Sequence, residues 1–315
     1  RKKNFALFAG AFVLLGFAAV FFGWRPFLRP RVAAFFRKPI ETVRFQSLTN
    51  TGNVGHPAIS PDGNFAAYVK GRQLHLKDLA SNKEIKLDVP NVPDFSFLQF
   101  SSDGNFIFFR PSSTLRKDAG ILRVSRFGGE TRLVAEKTWG GFDVSTDGKR
   151  IVFVRNLAEQ TKQLLIIKNL ETGEERELAS VDFPEMFLFY AVPAWSPDDG
   201  KIAVIVQNFA ARRNALFLID AGDGRKEEIK IPQLRQFEQI DWLPGGESLI
   251  ASASEGGKFF HLWKIFPGEG DGQRITNGLN TYSKISLSAD GRKILTLQSS
   301  QESNLFVSNA DNPGN

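Results

Sequence analysis

The sequence predicts an all-β protein: a six-bladed β-propeller of four-stranded blades, preceded by one N-terminal transmembrane α-helix. Two observations carry this. A turn phrase built on Ser-x-Asp-Gly recurs six times at blade-length spacing. A 20-residue run without a charged side chain, Phe5 to Trp24, stands before the first repeat.

The apolar run comes first in the chain. At about 1.5 Å per residue it spans roughly 30 Å as a helix, the thickness of bilayer hydrocarbon. Arg1, Lys2 and Lys3 precede it, and Arg25, Arg29, Arg31, Arg37 and Lys38 follow it. Trp24 closes it where an interfacial aromatic would sit. A signal peptide has a shorter apolar core and a small-residue cleavage site, and Gly23-Trp24-Arg25-Pro26 is a poor one. Residues 1–4 are therefore expected as a cytoplasmic stub, 5–24 as the membrane helix, 25–41 as a basic juxtamembrane linker and 42–315 as the propeller. Ala6/Gly10 and Ala19/Gly23 are small-xxx-small pairs through which two such helices could form a homodimer. The basic flanks alone favour a cytoplasmic C-terminal side, and the missing initiator methionine leaves the upstream flank incomplete.

The repeats begin at Ser60-Pro61-Asp62-Gly63 and continue at Ser101, Ser145, Ser196, Leu243 and Ser288, with steps of 41, 44, 51, 47 and 45 residues. The copy at Ser196 to Gly200 carries one extra residue, and Leu243-Pro244-Gly245-Gly246 is degenerate. Asp-Gly between two apolar runs is a hairpin signal, because glycine accepts the positive φ a tight turn requires. Each turn is preceded by a short apolar strand, such as Ala194-Trp195. A second strand follows (Phe65 to Val69, Ile202 to Val206), then a third (Leu74 to Leu76, Leu216 to Ile219). A more polar fourth, as in Glu174 to Leu178, suits an exposed edge. Thr42 to Leu48 reads as an orphan fourth strand, and the last repeat ends after three strands near Val307. The orphan is expected to complete the last blade and close the ring.

The Ser-Pro-Asp-Gly turns and the run of blades over residues 42 to 309 resemble the TolB-like, WD-repeat-like propellers of bacteria. Leu48-Thr49-Asn50-Thr51-Gly52, Pro57 to Gly63 and Arg274-Ile275-Thr276-Asn277 look like the propeller half of acidobacterial-type membrane proteins. In those, a serine/threonine kinase or winged-helix domain precedes one membrane helix. The resemblance implies a single-pass protein of the inner membrane with an extracytoplasmic propeller, acting as a sensor whose cytoplasmic effector lies outside this chain. No kinase motif occurs here, so no kinase residue is carried over.

Composition narrows the function classes. The net charge of +6 is concentrated at the start: residues 1–38 hold eight of the 40 Lys and Arg and no acid, so 32 basic residues face 34 acidic ones beyond them. Nucleic-acid binding by the propeller is not expected. There are no cysteines, and His56, His75 and His261 lie outside any metal-ligand spacing, so neither metal nor cofactor is expected. No nucleophile elbow or Walker loop occurs. Gly268 to Gly272 and Asp220 to Gly224 read as hairpin turns. No catalytic residue is assigned.

One set invites a ligand-binding reading. Six places before each turn phrase stand Val54, Phe95, Trp139, Tyr190, Phe237 and Tyr282, five of them aromatic. These five form a candidate collar at the channel mouth for an apolar ligand, a sugar or a peptide end. The competing assignment packs the rings between blades. The function expected is thus a membrane-held, non-enzymatic binding module for a protein or small-ligand partner. The alternatives are the N-terminal propeller of a prolyl-oligopeptidase-like hydrolase continuing past residue 315, and an envelope protein–protein scaffold.

Overall fold

The computed structural model describes residues 45–111 and 120–300. The chain divides between Gln46 and Ser47, and every strand belongs to the second unit.

The first repeat folds as β1 (Val54–Ile59), β2 (Phe65–Lys70), β3 (Gln73–Asp78) and β4 (Glu84–Lys86), paired antiparallel in chain order. The second gives β5 (Ser96–Phe100), β6 (Phe106–Arg110), β7 (Ile121–Ser125) and β8 (Arg132–Ala135). The third gives β9 (Trp139–Val144), β10 (Arg150–Leu157), β11 (Lys162–Asn169) and β12 (Glu175–Asp182). In the fourth the inner strand is interrupted, so β13 (Glu185–Phe187) and β14 (Ala194–Trp195) both pair with β15 (Lys201–Asn208), followed by β16 (Arg213–Asp220) and β17 (Lys226–Ile229). The fifth gives β18 (Gln236–Trp242), β19 (Leu249–Ser254), β20 (His261–Phe266) and β21 (Asp271–Arg274). Among the described residues the last repeat supplies β22 (Thr281–Leu287) and β23 (Ile294–Ser299).

The six-bladed expectation is corrected. Among the described residues five complete blades form, not six, and the sixth repeat is a two-stranded sheet. The orphan strand expected over 42–48 does not form in its described part. Phe45, Gln46 and Ser47 are exposed, and the Ser47 hydroxyl donates to Thr49 O at 2.7 Å, a local turn rather than a ladder. With these side chains exposed, little burial offsets the entropy of fixing a strand there. The expected third strand end near Val307 lies outside the described residues. The expected transmembrane helix is not tested: among the described residues no helix is long and apolar enough to cross a membrane. Their only helical turns are 3₁₀ turns at Ala158–Gln160 and Pro267–Glu269. The run at 5–24 and its linker to residue 41 lie outside the described residues.

The recurring turn explains why each hairpin forms. In the first copy Gly63 N–H donates to Ser60 O at 2.8 Å, with Gly63 at φ +69°. The Ser60 hydroxyl donates to Asp62 at 2.5 Å and accepts from Phe65 N–H at 2.9 Å, while Asp62 also accepts from Asn64 N–H at 2.9 Å. The same pattern recurs at Ser101, Ser145, Ser196 and Ser288. The copy at Ser196 holds no insertion within the turn. Asp199 takes the left-handed place at φ +54°, and its N–H donates to Ser196 O. Its carboxylate is thereby free to accept from Thr146 N–H at 2.9 Å and pair with Arg150 at 3.1 Å, tying the third blade to the fourth. The degenerate turn keeps only its backbone bonds, Gly246 N–H to Leu243 O and Leu243 N–H to Ser248 O.

Apolar faces of successive sheets pack on one another. One cluster joins Leu74 and Leu76 of the first blade to Phe95 and Phe109 of the second. Others join the second to the third around Phe142 and Phe153, the third to the fourth around Ile202, and the fourth to the fifth around Ile240 and Trp242. The last sheet packs on the fifth through Tyr282 and Ile285. It also bonds to the first blade: Ile59 N–H donates to Ser286 Oγ at 3.0 Å, and the Lys293 ammonium to Gly63 O at 2.7 Å.

Candidate functional site

The inner strands β1, β5, β9, β14, β18 and β22 wall a narrow central channel. Its lower end carries the Ser-x-Asp-Gly turns; its upper end is where these strands start. The channel is lined not by residues six places before the turns but by those four and two places before, including His56, Phe97, Gln99, Asp143, Gln239 and Asp241. The reason is a bulge. Pairing shifts register between Gly55 and Ala58, Ser96 and Gln99, Phe237 and Gln239, and Ser283 and Ile285. His56, Phe97 and Lys284 take left-handed φ of +49°, +54° and +53° there. One extra residue reverses which face a strand's earlier side chains occupy.

The five collar residues accordingly divide. Phe95, Phe237 and Tyr282 are buried in the clusters between blades. Trp139 and Tyr190 remain open, 36% and 62% exposed. Phe189 joins them, with ring centroids 4.9 Å from Trp139 and 5.2 Å from Tyr190. Phe189 also meets Phe97 edge-on at 5.8 Å, and Phe97 meets His56 at 5.7 Å. These rings form one continuous aromatic surface leading into the channel.

The segment between β13 and β14 positions Phe189 and Tyr190. Here the fourth inner strand is broken and its chain leans on the third blade, where two glycines admit it. A Cβ on Gly140 would stand 2.8 Å from Phe189 O, and one on Gly141 2.7 Å from Ala191 O. Two cations hold the segment from other blades. The Lys284 ammonium donates to Tyr190 O at 3.0 Å and lies 5.9 Å from the Tyr190 ring; the Arg110 guanidinium lies 6.0 Å from Phe189. Burial lowers the pKa of both, with Glu238 opposing the effect at Lys284. Burial also raises the Glu238 carboxyl.

Deeper down the channel turns acidic. Asp143 accepts from Gln99 Nε2 at 2.9 Å, Val144 N–H at 2.8 Å and Trp195 N–H at 2.8 Å, so one carboxyl joins three blades. Burial, then the charge of Asp241, pushes its pKa well above the carboxylate range. Asp241, which accepts from Trp242 N–H at 2.8 Å, is pushed up to about 7 by burial. His56 accepts the Phe97 N–H on Nδ1 at 3.2 Å, and burial followed by the Lys284 charge pulls it down to about 4, so it is neutral at pH 7. Among the described residues no three His, Cys, Asp or Glu side chains converge as metal ligands.

No family model matches the sequence, and no curated protein matches it. The structure does have relatives. A TolB-type protein of Agrobacterium tumefaciens superposes with a TM-score of 0.63 at 17% identity, over 80% of this chain and 92% of that one. The fold is that of the TolB-like β-propellers. Other propellers share it at similar distance. An oligogalacturonate lyase in complex with manganese matches with a TM-score of 0.56 at 14% identity, over 78% of this chain and 74% of its own. A puromycin-hydrolyzing peptidase of Mycobacterium tuberculosis matches at 0.53 and 15%, over 75% of this chain but 40% of its own. TolB-like geometry is thus found in proteins with and without enzymatic names, and the likeness carries the fold alone.

The sequence could not single out Phe189, Asp143 or Asp241. Phe189 lies in the irregular segment of the fourth repeat, and the acids share the position two before the turn with Ala58, Gln99, Ala194 and Ser286. That column, once aligned, was the available signal: polar residues at four of six places, Gln99, Asp143, Asp241 and Ser286.

Proposed function

We propose that this TolB-like propeller is a non-catalytic binding module whose upper channel mouth receives a segment of a partner protein. The observation that supports it most is the aromatic surface of Trp139, Phe189, Tyr190 and Phe97 at the mouth, with two of its rings open to solvent. Large, rigid aromatic groups around a recess are what binding hot spots are made of. The inter-blade bulk of the collar, Phe95, Phe237 and Tyr282, would hold the mouth in shape.

The wider reading places the propeller on the extracytoplasmic side of the inner membrane, in a signalling protein. It rests on the charge-free run at 5–24, its basic flanks and the family resemblance, and is tested by whether the chain stays in the membrane fraction under alkaline extraction. The second reading, a propeller attached to a hydrolase domain, is favoured by one observation: the peptidase match takes in 40% of that protein's chain, as it would if the propeller were one part of it. The complete reading frame decides between a domain before residue 1 and one after residue 315.

The mouth itself is tested with peptides selected from a random display library on the purified propeller. The selected peptides are expected to lose tenfold or more in affinity to the Trp139→Ala/Tyr190→Ala variant, about 1.4 kcal/mol or more. Unchanged affinity in a folded variant removes the mouth as the site.

A further inference from the structure

The floor of the channel lacks a partner. Gln239 is 3% exposed, lines the cavity, and its Oε1 accepts no hydrogen bond. An acceptor buried without a donor is costly, on the order of 1–3 kcal/mol. Asp241 lines the same cavity, and only burial and the Trp242 N–H set its proton affinity; no cation offsets it. Both groups are acceptors, so the missing partner is a donor, and the carboxylate asks for a charged one. The cavity, about 40 Å³, takes a group the size of a water molecule. Lys284 lines the same cavity, but its ammonium donates to Tyr190 O at 3.0 Å. A divalent metal would want six or more oxygens, or three converging side-chain ligands, and the described residues supply no such group.

We propose that this floor binds a primary ammonium group, carried by the segment seated on the aromatic mouth, through Asp241 and the Gln239 amide oxygen. This rests on the mouth being the binding site. An ammonium brings three donors and one positive charge, and on a lysine or an alkylamine it stands on a slender apolar stem. The rings of Phe97, Phe189 and Trp139 above it favour both the stem and the charge. The partner is then a protein segment with a lysine side chain or a free amino terminus at its tip.

Binding should strengthen as pH rises from 6 to 8, because Asp241 loses its proton near 7. Four other titratable groups face the site. His56 is already neutral above about 4, burial and the Asp241 charge push the Asp143 pKa up, and Lys284 and Glu238 act on each other at the mouth; Asp241→Asn separates their titration from that of Asp241.

The test is calorimetric titration of the purified chain with 4-phenylbutylammonium and its neutral counterpart 4-phenylbutanol at pH 6 and 8. At pH 8 the ammonium should bind at least tenfold tighter, with a smaller advantage at pH 6. Asp241→Asn, nearly isosteric, and Gln239→Leu, each checked for folding by thermal melt, should both remove most of the preference. Two peptides, one acetylated with an internal lysine and one lysine-free with a free amino terminus, then identify the source of the ammonium; binding of either supports the proposal. Equal binding of the alcohol, or a preference that survives Asp241→Asn, overturns it. So does stabilisation of the chain by calcium chloride alone with exclusion of the amine. If the alcohol binds as tightly as the ammonium and depends on Trp139, the ammonium site fails while the mouth stands; if library-selected peptides also ignore the mouth, both fail.

Discussion

Replacing Asp143 with alanine should be among the most damaging single changes in the propeller. Its carboxyl accepts from Val144 N–H and Trp195 N–H at 2.8 Å and from Gln99 Nε2 at 2.9 Å, and these donors belong to three blades. Alanine leaves two buried backbone donors and one amide without an acceptor, at about 1–3 kcal/mol for each buried group. Removing a desolvated carboxyl returns part of this. A net loss of about 3 kcal/mol follows, or roughly 6–12 °C in Tm for a domain of this size. Asp143→Asn keeps one acceptor oxygen and should lose about 1 kcal/mol. Urea unfolding followed by tryptophan fluorescence measures both, with the midpoint expected to fall at constant m-value. An alanine variant within 0.5 kcal/mol of the wild type would falsify the view that Asp143 joins the blades.

The pH behaviour of Asp241 gives a second prediction. Its folded pKa, about 7, lies above the unfolded value, so the folded state binds the extra proton and its contribution is lost as pH rises through 7. That contribution is full only below the unfolded pKa of about 4, so Asp241→Asn should stabilise the protein by about 2–3 kcal/mol more at pH 8 than at pH 5; equal effects at both pH values contradict this. Ser145→Ala removes a hydroxyl that donates to Asp147 and accepts from Arg150 N–H, and should cost about 1 kcal/mol in chemical denaturation. Gly140→Ala places a Cβ 2.8 Å from Phe189 O at a residue with φ +71°, and should displace Phe189 and Tyr190 at a cost of about 1–3 kcal/mol. Acrylamide quenching of Trp139 should rise in that variant; an unchanged quenching constant and Tm refute the close packing.

The repeating propeller was legible because its punctuation is local. A Ser-x-Asp-Gly turn satisfies its own hydrogen bonds within six residues, so Ser60 to Phe65 declares a hairpin without knowledge of the rest of the chain. Completing the sixth blade depended on a long-range pairing, and no local signal shows that Phe45 to Ser47 stay exposed. The collar was read by counting back six places, which assumes unbroken alternation. Bulges at His56, Phe97 and Lys284 break that alternation, and a left-handed residue other than glycine leaves no mark in the sequence. Three of the five rings therefore lie between blades, while Trp139, on the strand where Gly140 takes the left-handed place, stays at the mouth.

The account's central claim is that a partner segment seats on the upper mouth. Amide hydrogen exchange of the propeller with and without a library-selected peptide tests it most directly. Protection concentrated at 139–142, 188–193 and 282–285 is the predicted result. Protection confined to the lower turns or the outer strands, with those three segments unchanged, contradicts it.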